Sequence, residues 1–214
     1  MSRPSSRRLL IVYHRPGVEH EHARIARFAE KLRSHGIEAR SLTIEEALRE
    51  APEKGAATLL LLFTRGGHWA SLVEKGYPAE PIPVHLTAAA IALEARRRGH
   101  QRVTLVALRA HRLREQQLQD LEELAALLRG IHGLEATVTV LERLAAPPEA
   151  QGPLEGAVAP LALLHGRLVR AACSLAEKGN CLGPFMDYGE PLLAAWAIDR
   201  ATGRHPCRPR EMNI

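Results

Sequence analysis

Aromatic residues are scarce in this 214-residue chain, at 4% of the sequence, although hydrophobic residues make up 46%. The core must therefore be built from leucine, alanine, valine and isoleucine. Proteins that bind single-stranded nucleic acids stack the bases on aromatic side chains, so this scarcity argues against that function. Long apolar runs are also lacking, and none reaches the roughly 20 residues of a membrane helix. The length suits one large or two small α/β domains.

Cysteine is rare as well, since only Cys173, Cys181 and Cys207 are present and no two of them form a CxxC pair. An odd count without zinc-type spacing favours free thiols in a reducing compartment over a structural metal cluster. The basic N-terminus precedes an apolar run that is too short for a secretory signal and lacks a small-residue cleavage site. We therefore expect a cytoplasmic protein that does not enter a membrane.

Lysine is nearly absent, and the formal net charge of +5 comes mainly from arginine. A basic surface attracts anions, and the guanidinium group pairs with carboxylates through two parallel hydrogen bonds. Because nucleic-acid binding is disfavoured, the expected partner is an anionic small molecule.

Two short apolar runs end at a histidine: LLIVYH at 9–14 and TLLLLFTRGGH at 58–68. Such runs are typical of strands buried on both faces of a parallel sheet. The intervening length suits a β1-α1-β2-α2-β3 arrangement. In the flavodoxin-like strand order 2-1-3-4-5, the first and third strands are neighbours, and their carboxyl ends border the ligand crevice. His14 and His68 are then expected side by side, where two neutral imidazoles can bind a divalent metal or accept protons. The alternative is two unrelated loop histidines.

The second half of the chain repeats the first. LTAAAIALEARRRGH at 86–100 aligns with PLLAAWAIDRATGRH at 191–205, and LLLLFTRGG at 59–67 aligns with APLALLHGR at 159–167. A duplicated α/β unit predicts two lobes related by a pseudo-two-fold, with a cleft suited to a large planar ligand. We place the first lobe at 1–85, the second at 100–204 and a basic tail at 205–214. The helix at 85–99 is a candidate to pack on the other lobe.

Three segments carry a resemblance to a known family: LLIVYH at 9–14, EEALREAPEKGAATLLLLF at 45–63 and RGGHWASL at 65–72. Together they resemble the class II tetrapyrrole chelatases. Within that family the resemblance is to the sirohydrochlorin cobaltochelatases of the CbiX type and to the related sirohydrochlorin ferrochelatases. The resemblance covers most of the chain in outline, and its specific part is the first 75 residues. It implies an α/β fold of two flavodoxin-like (chelatase-like) lobes.

The same resemblance implies roles for particular residues. His14 and His68 match the two family histidines that bind the metal and accept the pyrrole protons. The family also has a glutamate at the end of its second strand. Counting back from the acidic pair at 45–46 places Glu38 in that column, and Glu45 is the other candidate for this acidic residue.

Arg15 and Arg65 flank the two histidines in sequence. Sirohydrochlorin carries acetate and propionate groups, which paired arginine hydrogen bonds would hold. The alternative is that both arginines are solvated surface residues. The family has Gly-Ser after its first histidine, whereas this chain has Arg15-Pro16-Gly17, which changes the loop beside the site.

The function that the resemblance implies is insertion of a divalent metal into sirohydrochlorin or a related tetrapyrrole. Co²⁺ is the first choice of metal substrate, with Fe²⁺ or Ni²⁺ as alternatives, and neither ATP nor an organic cofactor is expected. The expected assembly is a monomer with a pseudo-two-fold or a weak homodimer. A rival function is a non-catalytic tetrapyrrole- or metal-binding protein on the same fold. A nucleotide-binding protein is a third, but RPGVEHEH after the first strand is a poor phosphate loop.

Overall fold

The computed structural model describes residues 7–77, 80–142 and 154–203. The predicted basic tail at 205–214, which includes Cys207, lies outside these ranges. Within them the chain is an α/β protein with six strands and seven helices. In chain order the elements are β1 (Arg7–Tyr13), α1 (Glu19–Ser34), β2 (Ile37–Thr43), α2 (Ile44–Arg49), β3 (Ala57–Leu61), α3 (Gly67–Glu74), α4 (Val84–Arg97), β4 (Arg102–Leu108), α5 (Arg114–Gly130), β5 (Glu135–Leu141), β6 (Ala157–Pro160), α6 (Arg167–Ser174) and α7 (Met186–Thr202).

The strands form two parallel sheets of three strands each, ordered β2-β1-β3 and β5-β4-β6. The predicted adjacency of the first and third strands is confirmed, because Leu9 pairs with Ala57 and Tyr13 pairs with Leu61. Both halves share one strand order, as a duplicated α/β unit requires. The chain is therefore built as two lobes, each around its own parallel sheet.

Within the described residues, neither half has the fourth and fifth strands of the predicted order 2-1-3-4-5. In each half the chain returns past the third strand with a short hydrogen-bonded contact. In the first half the Ile82 N–H donates to the Leu62 carbonyl at 2.8 Å. In the second half the Val158 N–H donates to the Asn180 carbonyl and the Leu182 N–H donates to the Val158 carbonyl, both at 2.8 Å. A proline follows within two residues in both places. Because proline has no N–H to donate, the ladder does not continue and a helix begins instead.

The first strand is apolar throughout because helices cover both faces of its sheet. Leu9 and Ile11 pack in a cluster with side chains of α1 and α7. Leu10 and Val12 face the other way and pack with side chains of α2 and α3. Alternate residues of a strand point to opposite faces, so a strand covered on both sides must be apolar at every position.

The last helix of each half packs on the sheet of the other half. α7 places Leu193 and Ala197 in the core of the first sheet. α4, which covers most of the 85–99 stretch, places Ile91 and Ala95 in the core of the second sheet. The two helices also contact each other between the sheets. Neither sheet would therefore be fully covered by the helices of its own half.

The final helix begins earlier than its sequence indicates. The run PLLAAWAIDRATG at 191–203 predicts a helix that begins at Pro191 after an irregular loop, but the helix begins at Met186 and contains Pro191. The preceding Phe185 is fully buried and lies over Gly189, where an added Cβ would be 2.3 Å from a ring carbon. Packing of Phe185 thus stabilises the first turn of the helix, and Pro191 near the start removes only a single backbone hydrogen bond.

The expectation of free thiols is also wrong for two of the three cysteines. Cys173 of α6 and Cys181 form a disulfide, with Cα atoms 5.2 Å apart. Cys181 pairs with Val158 at the edge of β6, which returns the chain to α6. Sequence spacing could not show this return, since it depends on the sheet. None of the helices in the described part of the chain is long and apolar enough to cross a membrane.

Candidate metal-binding site

His14 and His68 lie beside each other at the carboxyl edge of the first sheet. Their ring centroids are 5.0 Å apart and the ring planes meet at 71°. His14 directly follows β1, and His68 is the second residue of α3, seven residues beyond the end of β3. Val12 packs with Leu72 of α3. His14, two residues after Val12, therefore lies against the first turn of α3.

The hydrogen bond of His14 fixes its tautomer. Its Nδ1 lies 3.0 Å from the carbonyl oxygen of Arg15. A carbonyl only accepts hydrogen bonds, so in the neutral ring Nδ1 carries the proton and donates it. The other nitrogen, Nε2, then presents a lone pair. A lone pair of this kind can coordinate a metal or accept a proton.

The surroundings of His68 favour its neutral form. Burial lowers the pKa of His68, the nearby His14 lowers it further, and the Glu45 carboxylate opposes both by raising it. The net direction is downwards from the ordinary value of 6.5. A ring in the first turn of a helix also meets the positive end of the helix dipole, which disfavours an imidazolium. The lowered pKa thus favours the neutral form of His68 at neutral pH, and the neutral ring is the form that can coordinate a metal.

Glu38 and Glu45 are the two candidates for the acidic residue, and only Glu45 lies near the histidine pair. Glu45 lies in the first turn of α2 and acts electrostatically on His68. That turn is fixed by a capping box: the Thr43 N–H donates to Glu46 Oε2 at 2.7 Å, and the Glu46 N–H donates to Thr43 Oγ1 at 3.3 Å. Glu45 is thus the carboxylate held near the pair.

The placement expected for Glu38 is wrong. Glu38 pairs in register with Arg8 at the start of β1, and its carboxylate lies 3.6 Å from the Arg8 guanidinium. Six residues of strand separate Arg8 from His14, which is about 20 Å at the usual rise per residue. Glu38 therefore lies at the opposite edge of the sheet and does not reach the histidines.

The two flanking arginines also differ. The Arg65 guanidinium donates from Nε to Asp120 Oδ1 at 3.0 Å, and its Nη2 also bonds that oxygen. The Arg65 backbone N–H donates to Asp120 Oδ2 at 2.6 Å. Arg65 is thus held by a carboxylate of α5, and its expected role in binding substrate carboxylates is not supported. Arg15 is exposed, and its charge acts on Tyr13 and Glu46.

Sequence analysis missed a hydrogen bond next to the histidine pair. Tyr13 Oη lies 2.8 Å from His22 Nδ1, and the pKa of Tyr13 is raised by burial and then by Glu46. His22 lies at helical spacing from the buried residues Ile25 and Ala29 of α1. That spacing was the available signal, because it places His22 at the end of the buried stripe.

Within the described residues, no group of three or more histidine, cysteine, aspartate or glutamate side chains is arranged to hold a metal ion. The histidine pair therefore offers two ligands and leaves the other coordination positions open. Closed four-ligand sites are typical of structural metals, whereas open sites are typical of metals that react. The arrangement suits transient binding and transfer of an ion.

No protein-family model matches this chain, and no curated protein matches it. Solved structures do. DR2241 from Deinococcus radiodurans, a multi-domain protein with structural similarity to chelatases and two additional novel domains, aligns with a TM-score of 0.54 and 20% identity. That alignment covers 95% of this chain and 56% of DR2241, so the chain spans just over half of that protein's length.

The sirohydrochlorin chelatase SirB from Bacillus subtilis subspecies spizizenii, in complex with cobalt, aligns with a TM-score of 0.54 and 16% identity. The alignment covers 91% of this chain and 93% of that one. At these identities the likeness concerns the fold. The fold of this chain is therefore that of two chelatase-like lobes, as the sequence predicts.

Proposed function

We propose that this protein inserts a divalent metal into sirohydrochlorin or a related tetrapyrrole without ATP. Co²⁺ is the first candidate as metal substrate, followed by Fe²⁺ and Ni²⁺. The observation that carries the proposal is the pair of imidazole rings, 5.0 Å apart, at the carboxyl edge of the first sheet. The fold shared with a structure described as a sirohydrochlorin chelatase in complex with cobalt supports it.

The reaction needs a metal ligand and a proton acceptor, and histidine can serve as both. A divalent ion replaces two pyrrole protons, so the macrocycle gains the ion and loses two protons. A neutral imidazole binds Co²⁺, Fe²⁺ and Ni²⁺ and also accepts protons near neutral pH. In this proposal His14 presents Nε2, and His68 is kept neutral by burial.

Glu45 completes the site as an anionic neighbour. When His68 accepts a proton, the Glu45 carboxylate stabilises the resulting imidazolium, since its charge raises the pKa of His68. The imidazolium then releases this proton to water, which returns His68 to its neutral form. Arg15, exposed beside His14, is the proposed contact for a carboxylate of the macrocycle.

The test is to mix the purified full chain with Co²⁺ and sirohydrochlorin and follow the visible spectrum. We expect insertion faster than the uncatalysed control. His14→Ala and His68→Ala should each lower the rate by about 100-fold or more, the usual contribution of a positioned proton acceptor. The matched control is His35→Ala, an exposed histidine at the far end of α1, which should leave the rate unchanged.

Two outcomes would contradict the proposal. One is insertion that proceeds equally well in both active-site variants. The other is a macrocycle that binds but keeps its metal-free spectrum, which would favour the rival function of a non-catalytic tetrapyrrole-binding protein. Repeating the assay with Fe²⁺ and Ni²⁺ ranks the metals.

A further inference from the structure

In two places a buried carboxylate of one lobe accepts a hydrogen bond from a backbone N–H of the other lobe. Asp120 of α5, 9% exposed, accepts the backbone N–H of Arg65 at 2.6 Å. Glu21 of α1, 2% exposed, accepts the backbone N–H of His165 at 3.1 Å. Arg65 and His165 are equivalent positions in the aligned segments LLLLFTRGG and APLALLHGR. The same contact is therefore made once in each direction.

The two contacts between the lobes differ in the number of groups that donate to the carboxylate. Asp120 also binds the Arg65 side chain, so this carboxylate receives three donor groups from a single residue. The Glu21 contact has no such addition from His165. Charge-assisted bonds to a buried carboxylate are short and directional, so they fix the place of the residue that donates them. Arg65 is thus fixed from the second lobe through both its backbone and its side chain.

Arg65 leads directly into the turn that places His68. The Gly66 carbonyl accepts the Ala70 N–H at 3.0 Å and so begins α3. The loop after β4 packs against the same turn, because a Cβ added at Gly66 would lie 3.4 Å from Ala110 Cβ. A shift of Arg65 therefore moves the first turn of α3 relative to β1. In the other half the position equivalent to His68 is Leu168.

We propose that Asp120 is a positioning residue for metal binding. Through Arg65 it sets the place of the first helical turn of α3, and with it the separation of the His68 and His14 rings. The metal affinity of a pair on the first lobe then depends on a carboxylate of the second. This inference rests on the proposed function, in that the two histidines take up the metal.

The test is a titration of the full chain with Co²⁺ alone, read from the visible absorption bands of the bound ion. Asp120→Asn keeps an acceptor for the Arg65 N–H and removes the charge, and Arg65→Met keeps the backbone contact and removes the guanidinium. We expect each to weaken Co²⁺ binding about 10- to 100-fold, the usual effect of losing a group that orients a ligand. The band intensities should also change. Asp120→Glu should restore part of the affinity.

The matched control is Glu21→Gln, which alters the other contact between the lobes without touching the turn before His68. It should lower thermal stability and leave Co²⁺ affinity within about twofold. Wild-type affinity in folded Asp120→Asn and Arg65→Met, or equal weakening in Glu21→Gln, would overturn the inference alone. Co²⁺ binding that persists unchanged in His14→Ala would overturn the proposed function and this inference with it.

Discussion

At the scale of single residues, the protonation of His68 is set by three influences of unequal size. Burial is the largest and lowers the pKa, the neighbouring His14 acts in the same direction, and Glu45 acts against them. A lowered pKa keeps the ring neutral as the pH falls to 6.5 and below. His68 should therefore stay available as a ligand below its ordinary pKa of 6.5, and it should be lost as a ligand as the pH falls through its lowered pKa.

Removal of either neighbour of His68 should shift the pKa of this ring, and the two shifts should be in opposite directions. His14→Ala removes the neighbouring ring that lowers the pKa of His68 and should therefore raise that pKa. Glu45→Gln removes an attractive negative charge and should lower that pKa. An NMR titration of the His68 ring protons measures both shifts. Glu38→Gln is the control, since Glu38 lies at the other edge of the sheet and should leave the titration unchanged. Shifts of the same sign in the first two variants would contradict this account of the site.

How much of the site was predictable follows from where each residue lies. The histidine pair could be predicted because strand order alone brings the ends of β1 and β3 together. Glu38 was misplaced because counting back along the sequence does not show at which end of the strand a residue lies. Arg65 was misread because its partner, Asp120, is 55 residues away on another lobe. Contacts between lobes depend on packing that no local pattern contains.

At the scale of elements, the start of α7 depends on a close contact within its own first turn. Phe185 is fully buried, and its ring lies against Gly189 and beside Phe63 and Tyr188. Glycine and proline at 189 and 191 are typical of loops, which is why the sequence predicted a later start. The aromatic cluster packs against this first turn, and such tertiary packing is not included in intrinsic helix propensities.

The contact predicts that Gly189→Ala destabilises the protein. The added Cβ would lie 2.3 Å from the Phe185 ring, so the ring must move within a packed core. The expected loss is about 1–3 kcal/mol in the free energy of unfolding, measured by denaturant titration. Gly130→Ala, at a helix end with nothing within 4 Å of the added Cβ, is the control and should cost nothing. Adding Phe185→Leu to Gly189→Ala should recover part of the loss. A neutral Gly189→Ala would show that the ring does not occupy this place.

At the scale of the whole molecule, the exchange of α4 and α7 makes the lobes interdependent. Duplication and two lobes could be predicted, since the halves align in sequence. The lobe boundaries proposed from sequence, 1–85 and 100–204, divide the chain between its two sheets. They do not divide it into self-sufficient cores, because Leu193 and Ala197 of the second half pack on the first sheet. A fragment that ends before α4 would lack both exchanged helices.

This interdependence predicts how fragments behave. The fragment 1–100 keeps the first sheet, α1 and α4 but loses α7, so part of one face of its sheet and the apolar side of α4 are left uncovered. The α4 segment aligns with that of α7, so α4 of a second copy can take the vacant place. We expect 1–100 to form a dimer rather than a stable monomer, as measured by size-exclusion chromatography with light scattering. Co-expression with 101–214 should give a one-to-one complex instead.

Ala92→Asp provides the matched variant for this experiment. Ala92 lies on the side of α4 that is buried on the second sheet in the full chain. In the fragment that side faces the partner copy, and a buried unpaired carboxylate is costly, so the dimer should be lost. A 1–100 fragment that is monomeric, unfolds cooperatively and is unaffected by Ala92→Asp would contradict the interdependence. Each half would then supply a complete core of its own, and the exchanged helices would only join two independent lobes.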